Sequence, residues 1–195
     1  MSTPLDTPLE IAPALQVSQW LNMPAPITLE SLRGRIVVLH AFQMLCPGCV
    51  LQGLPQASRI QALFPARELV VIGLHTVFEH HAVMTADALK AFVHEYGLSF
   101  PIGIDQPSDQ ESIPLTMQAY GLRGTPSLVI LDRQGRIRLN HFGQVDDLAV
   151  GALLGQLVSE TAPAPDANLA DPGAPGHASA GCDGDVCTTR PGFKA

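Results

Sequence analysis

Cys46-Pro47-Gly48-Cys49 sets two thiols about one helical turn apart. Such a Cys-x-x-Cys serves either as half of a metal site or as a redox dithiol; two inert buried cysteines are the third reading. The apolar run Ile36–Phe42 precedes it and a segment with helical spacing follows, so Cys46 falls where a strand hands over to a helix. A helix N-terminus presents unpaired backbone N–H groups and partial positive charge, which favour a thiolate. Thiols in Cys-x-x-Cys settings span roughly pKa 3.5 to 7.5. Pro47 suits the first helical position, where its missing N–H costs nothing. Cys46 is therefore expected to be the exposed nucleophile that forms a mixed disulfide, and Cys49 the thiol that resolves it. A zinc site needs two further ligands. The domain has no second Cys-x-x-Cys, so the reading is redox chemistry with no metal and no cofactor.

The other titratable residues near this motif have competing uses. His40 shares a strand face with Val38 and Phe42. A neutral imidazole there would accept the Cys49 proton, directly or through a water; a core histidine bonded to backbone is the alternative. His75, His80 and His81 cluster near Glu79 after a second apolar run, and they read as a solvated loop rather than a metal or proton relay. His75 lies closest to the sheet edge where ligands approach an open α/β fold. Cys182 and Cys187 lie on a distant tail. They would form a small disulfide loop, exchange electrons with Cys46/Cys49, bind a metal, or do nothing. A linker of this length would bring them to the active site at up to about millimolar effective concentration.

The 195 residues predict one domain with extensions. With 46% hydrophobic and 15% charged residues, the chain has material for a sizeable core and too little charge for disorder. A net charge of -7 gives no electrostatic reason to expect nucleic acid or an anionic membrane as partner. Met1 to Asn22 carries no Lys or Arg, is broken by Pro4, Pro8 and Pro13, and lacks a long apolar core. The expectation is no leader or membrane anchor and a cytoplasmic setting, where a cysteine pair is more often catalytic than structural.

Periodicity supplies the scaffold. Residues 1–14 read as a loose arm, 15–160 as the domain, and 161–195 as a linker and tail; in the linker about two thirds of residues are Ala, Pro or Gly. Leu15 to Leu21 predicts a short edge strand. Ile36–Phe42 and Leu69–Leu74 predict strands buried on both faces. Pro47 to Phe64 carries Val50, Leu51, Leu54, Ala57, Ile60, Ala62 and Leu63, mostly at helical spacing, and predicts a helix kinked by Pro55. Thr85 to Tyr96 predicts a second helix with Thr85 as N-cap, Leu89, Phe92, Val93 and Tyr96 as its stripe, and Gly97 as its stop. After a short apolar stretch, Phe100–Ile104, Pro114 to Tyr120 predicts a short helix. Ser127–Leu131 and Ile137–Phe142, joined by a tight turn, predict an antiparallel hairpin. Asp146 to Ser159 predicts a last helix burying Leu148, Val150, Leu153, Leu154, Leu157 and Val158. The order implies an α/β fold: a central mixed sheet with helices on both faces.

This order, with Gly124-Thr125-Pro126 before the hairpin and Tyr96-Gly97-Leu98-x-Phe100-Pro101 closing an inserted strand and helix, resembles the thioredoxin fold. It is most similar to its redoxin branch of TlpA/ResA-like thiol–disulfide oxidoreductases, over about residues 15–160. The resemblance implies a cis Thr125-Pro126 bond and a substrate-binding edge made of Pro47, Gly48, Thr125 and Pro126. It implies a disulfide-containing protein substrate, an upstream thiol reductant, and a monomer or weak homodimer. Three positions depart from the family. The intervening dipeptide is Pro47-Gly48 where thioredoxin has Gly-Pro, Leu45 stands where tryptophan is usual, and His40 stands where an acid or asparagine is often found. A peroxiredoxin-like thiol peroxidase is the nearest alternative, but Gln43 and Leu39 occupy its threonine and proline positions. A non-enzymatic metal-binding module is the remaining one.

Overall fold

The computed structural model describes residues 9–160. Cys182 and Cys187 lie outside the described residues. Six strands form one mixed sheet: β1 (Val17–Leu21), β2 (Ile36–Phe42), β3 (Leu69–His75), β4 (Ile102–Asp105), β5 (Ser127–Leu131) and β6 (Ile137–Phe142). Their order is β1-β4-β3-β2-β5-β6. β2, β3 and β4 run parallel, and β1, β5 and β6 are antiparallel to their neighbours.

β2 is central because all seven of its residues are buried. Alternate side chains feed two cores. Ile36, Val38 and Phe42 face the helices α1 (Leu54–Leu63), α2 (Ala86–Glu95) and α4 (Asp147–Ser159). Val37, Leu39 and Ala41 face α3 (Leu115–Ala119) and the N-terminal segment around Leu29 and Leu32. A strand clad on both faces has no polar alternation, which is why its sequence is nearly continuous in apolar residues. His40 is the exception, and it points to the α1 and α4 side.

Helix ends follow local chemistry. The Thr85 hydroxyl accepts the Ala88 N–H, and Asp146 accepts from Leu148 and Ala149, each satisfying N–H groups that the first turn leaves free. Gly97 and Gly121 take positive φ at the ends of α2 and α3, where a Cβ would be strained. Asp105, a further buried acid, accepts from Thr76 Oγ1 and from the Thr116 and Met117 N–H groups, which ties the end of β4 to the first turn of α3.

Several expectations need correction. The segment at 9–14 is not loose: Ile11 bridges to Arg136, the Ala12 N–H donates to Gly135, and the Ile137 N–H donates to Glu10. The irregularity near Pro55 is a π-helical turn at Cys49–Gly53 directly before α1, with Pro55 in the first turn of α1. Proline lacks the N–H that would bond back one turn, and its ring crowds that carbonyl; the wider turn takes up the mismatch, and the Leu54 N–H bonds to Cys49 O. Leu148, expected in the core, is 83% exposed, because α4 turns Val150, Leu154 and Leu157 inward instead. Leu51, Leu63 and Tyr96 also lie on the surface.

Asp132 is buried at the end of β5 and pairs with Arg136 and Arg138, while Arg138 grips Glu160 at the end of α4. This ionic clasp lies at the opposite end of the sheet from Cys46. Among the described residues, no helix is long and apolar enough to cross a membrane.

Candidate active site

The active-site turn is built from the end of β2. The Cys46 N–H bonds to Gln43 O at 3.2 Å, and the Val50 N–H bonds to Cys46 O at 3.1 Å. Cys46 immediately precedes Pro47 and Gly48, the first helical residues. Its sulfur accepts the Cys49 N–H at 3.3 Å, so it occupies the capping place at a helix N-terminus, where negative charge is favoured. Its thiol donates to the Thr125 carbonyl at 3.4 Å. The Thr125-Pro126 bond is cis, as expected from the resemblance. Gly48 allows Pro126 to close on the turn, since a Cβ there would stand 3.3 Å from Pro126 Cδ. Cys46, Cys49, Pro47, Gly48, Thr125 and Pro126 therefore form one cluster at the C-terminal edge of β2.

The two thiols differ in access. Cys46 is half-buried and Cys49 is fully buried; both are free thiols. Burial, with hydrogen bonding and charge from Cys46, pushes the Cys49 thiol up to about 12. The Gln43 backbone and the Thr125 hydroxyl oppose that rise. At neutral pH Cys49 is a protonated thiol.

His40 lies under the same helix but is not bonded to either cysteine: no hydrogen bond joins them among the described residues. Its ring packs against Gly53, and a Cβ at 53 would stand 2.9 Å from His40 Nε2. His40 is buried, its Nδ1 has no partner, and burial holds it down at about 4. It lines a cavity of about 240 Å³ together with Leu51, Gln56, Pro126 and Asp147. This cavity passes beside Pro126 and reaches the Gln56–Asp147 hydrogen bond near the surface.

The other histidines separate. His75 is not part of a solvated loop; it ends β3, is buried, and packs its ring 5.3 Å from that of Phe42. Burial lowers it to about 4. His80 and His81 are exposed, as expected of a loop. No group of three or more His, Cys, Asp or Glu among the described residues is arranged to hold a metal ion.

Gln43 was not singled out as a site residue by its type or spacing. It is 1% exposed, and its Nε2 reaches Glu79 Oε1 at 3.4 Å and Thr125 Oγ1 at 3.5 Å. The only local signal is its polarity, directly after a buried strand and three residues before Cys46.

A family model described as the AhpC/TSA family matches residues 10–140. The chain belongs to the AhpC/TSA family. Among curated proteins, ResA, a thiol-disulfide oxidoreductase of Halalkalibacterium halodurans, is 27% identical over 124 residues, covering 64% of this chain and 63% of ResA. The protein DipZ of Mycobacterium tuberculosis is 28% identical over 155 residues, covering 78% of this chain and 21% of DipZ. The chain thus spans about a fifth of DipZ and under two thirds of ResA. Two crystal structures are 52% identical. One is of a thioredoxin-like superfamily protein (TM-score 0.77, covering 78% of this chain and 99% of that one). The other is of a thiol-disulfide isomerase from Corynebacterium glutamicum (TM-score 0.74, covering 77% and 98%). The thioredoxin-like fold and the ResA-like kinship read from the motif order are borne out.

Proposed function

We propose that this AhpC/TSA-family protein is a thiol–disulfide oxidoreductase that reduces protein disulfides. The observation that carries the reading is the asymmetry of the pair: Cys46 is accessible at a helix N-terminus with the Cys49 N–H on its sulfur, while Cys49 is buried and protonated. The Cys46 thiolate attacks one sulfur of the substrate disulfide, and the other sulfur leaves with the electron pair. Cys49 then loses its proton and attacks Cys46, which releases the second substrate thiol and leaves Cys46–Cys49 oxidised. An upstream thiol reductant restores the dithiol. Pro47, Gly48, Thr125 and Pro126 form the face on which the substrate chain lies. Leu45 and Leu51, 59% and 74% exposed, give that face an aliphatic rim.

His40 serves the second step. A histidine held near 4 is neutral at pH 7 and too weak a base to keep the Cys49 proton. We assign it to pass that proton to water in the cavity beside it. No zinc or other metal is assigned to the thiols. The peroxidase alternative fares worse because Gln43, a buried amide, stands where that chemistry calls for a hydroxyl.

Insulin reduction with a thiol donor tests the assignment. Cys46→Ser should abolish turnover, and Cys49→Ser should accumulate a mixed disulfide. Full activity in Cys46→Ser would end the proposal. A cytoplasmic setting goes with the reducing direction, and a Cys46/Cys49 pair found largely oxidised in intact cells would count against both.

A further inference from the structure

Gly124 leaves its side-chain space to Phe142. A Cβ at 124 would stand 2.7 Å from Phe142 Cε2, so the ring lies against the backbone one residue before Thr125. Two further links hold it there. Phe142 pairs with Ser127 across the β5–β6 ladder, and the neighbouring Gly143 N–H donates to Pro126 O at 2.8 Å. The ring is thus fixed beside the Thr125–Pro126 edge, yet it is 44% exposed. Arg123 completes the patch. Its guanidinium carbon lies 5.5 Å from the centre of the Phe142 ring, within the range of a cation–π contact. The ring orients this cation without neutralising it. Among the described residues no carboxylate pairs with Arg123, whereas Arg59 holds Asp147, Arg133 holds Glu68, and Arg136 and Arg138 share Asp132. The acids that border the site already have donors from this chain: Glu79 from Gln43, Asp146 from two N–H groups of α4, and Asp147 from Gln56 and Arg59. In a chain of net charge -7, Arg123 is a cation kept available beside the substrate edge. Aromatic side chains and arginine are the residues enriched where protein surfaces meet.

We propose that Arg123, held over Phe142, determines specificity: the protein exchanges fastest with protein disulfides that carry an acidic side chain close to the reacting cysteine. This rests on the exchange reading of Cys46 and Cys49 given above. A substrate chain lying along Thr125 and Pro126 passes the Phe142 ring and the guanidinium over it. Arginine offers its N–H donors in a planar fork that matches a carboxylate, and Phe142 spares it part of the cost of being ordered. The charge pair forms as the substrate docks and persists in the mixed disulfide. An interaction made equally before and during a step does not speed that step. The acidic side chain therefore raises the rate at which Cys46 captures the disulfide and leaves the resolution by Cys49 unchanged.

The test uses the full chain with Cys182→Ser and Cys187→Ser, reduced beforehand, so that the active-site pair alone reacts. The probes are disulfide-linked dimers of one short peptide, with Glu, Gln or Lys placed in turn at each of the three positions on either side of its cysteine. The second-order rate of disulfide loss is divided by that of the same peptide with dithiothreitol, which removes the effect of the charge on the sulfur's own reactivity. At one or two positions Glu should react about two- to fivefold faster than Gln, the worth of an exposed ion pair, and Lys slower than Gln. Arg123→Gln should bring the three together, and Arg123→Lys should keep part of the preference. Phe142→Leu removes the ring that orients the guanidinium; it should shrink the preference, and it serves if Arg123→Gln does not fold. Salt at about 1 M should weaken the preference in the unaltered site. Arg67→Gln removes the same charge from an exposed residue just before β3, at the end of the sheet away from Cys46, and should leave the preference intact. The proposal is overturned if Glu and Gln peptides react equally at every position, if the preference survives Arg123→Gln, or if Arg67→Gln removes it as fully. A Cys46→Ser chain that still reduces the peptides would end the exchange reading itself, whatever Arg123 selects.

Discussion

Gly53 and His40 fit as a slot and its occupant. A Cβ on Gly53 would collide with His40 Cε1, and its neighbours Nε2 and Nδ1 lie 2.9 and 3.4 Å from the same point. Gly53 is also the last residue of the π-helical turn that starts at Cys49. The widened turn and the missing side chain together admit an imidazole beneath the active-site helix.

Replacing glycine by alanine in a helix ordinarily stabilises by about 0.5–1 kcal/mol. At Gly53 the sign should reverse. Overpacking against His40 costs about 1–3 kcal/mol, so Gly53→Ala should lower the urea midpoint. Gly151→Ala and Gly155→Ala in α4, where nothing lies within 4 Å of the new Cβ, should raise it by the ordinary amount. A stabilised Gly53→Ala protein would show that His40 does not fill this slot.

Stability should fall in acid through the two buried histidines. Each is held near 4 in the folded chain against about 6.5 when unfolded. The unfolded chain therefore binds protons first, and stability present above pH 6.5 is lost as pH drops toward 4. For His40 the loss is on the order of 3 kcal/mol. Urea titrations across this window should show the decline. His40→Leu should remove part of its slope, and an unchanged slope would place His40 in water.

The same His40→Leu substitution has a kinetic consequence. It should slow the resolving step severalfold and alter its pH dependence, while Cys46 attack proceeds normally. A resolving step with the wild-type pH profile would remove His40 from the proton path.

Asp105 should be costly to alter although it lies outside the thiol site. It is 3% exposed and accepts from the Thr76 hydroxyl and two N–H groups of α3. Asn presents an NH2 group to one of these donors. Asp105→Asn should destabilise by about 1–3 kcal/mol, read as a shift in the thermal midpoint with no change in the Cys46 rate.

The order of the elements, and most of their bounds, were legible in the sequence, though not the π-helical turn at Cys49–Gly53 or the bridge at Ile11. Strands such as Ile36–Phe42 are written in continuous apolar runs, and Thr85, Asp146 and Gly97 mark helix ends by local chemistry. Cys46 and Cys49 were legible for the same reason: their spacing is local, and their place at a helix start follows from the flanking pattern. Thr125 and Pro126 lie far along the chain from Cys46, and the resemblance alone brought them to it. Local spacing carries no record of which side a residue faces once a helix packs. Leu148 therefore looked like core and is surface, and His75 looked like loop and is core. The tertiary structure alone decided the Glu79–Gln43–Thr125 line and the slot that Gly53 makes for His40. Both depend on contacts between segments distant in sequence, brought together when the sheet and the active-site helix close on one another.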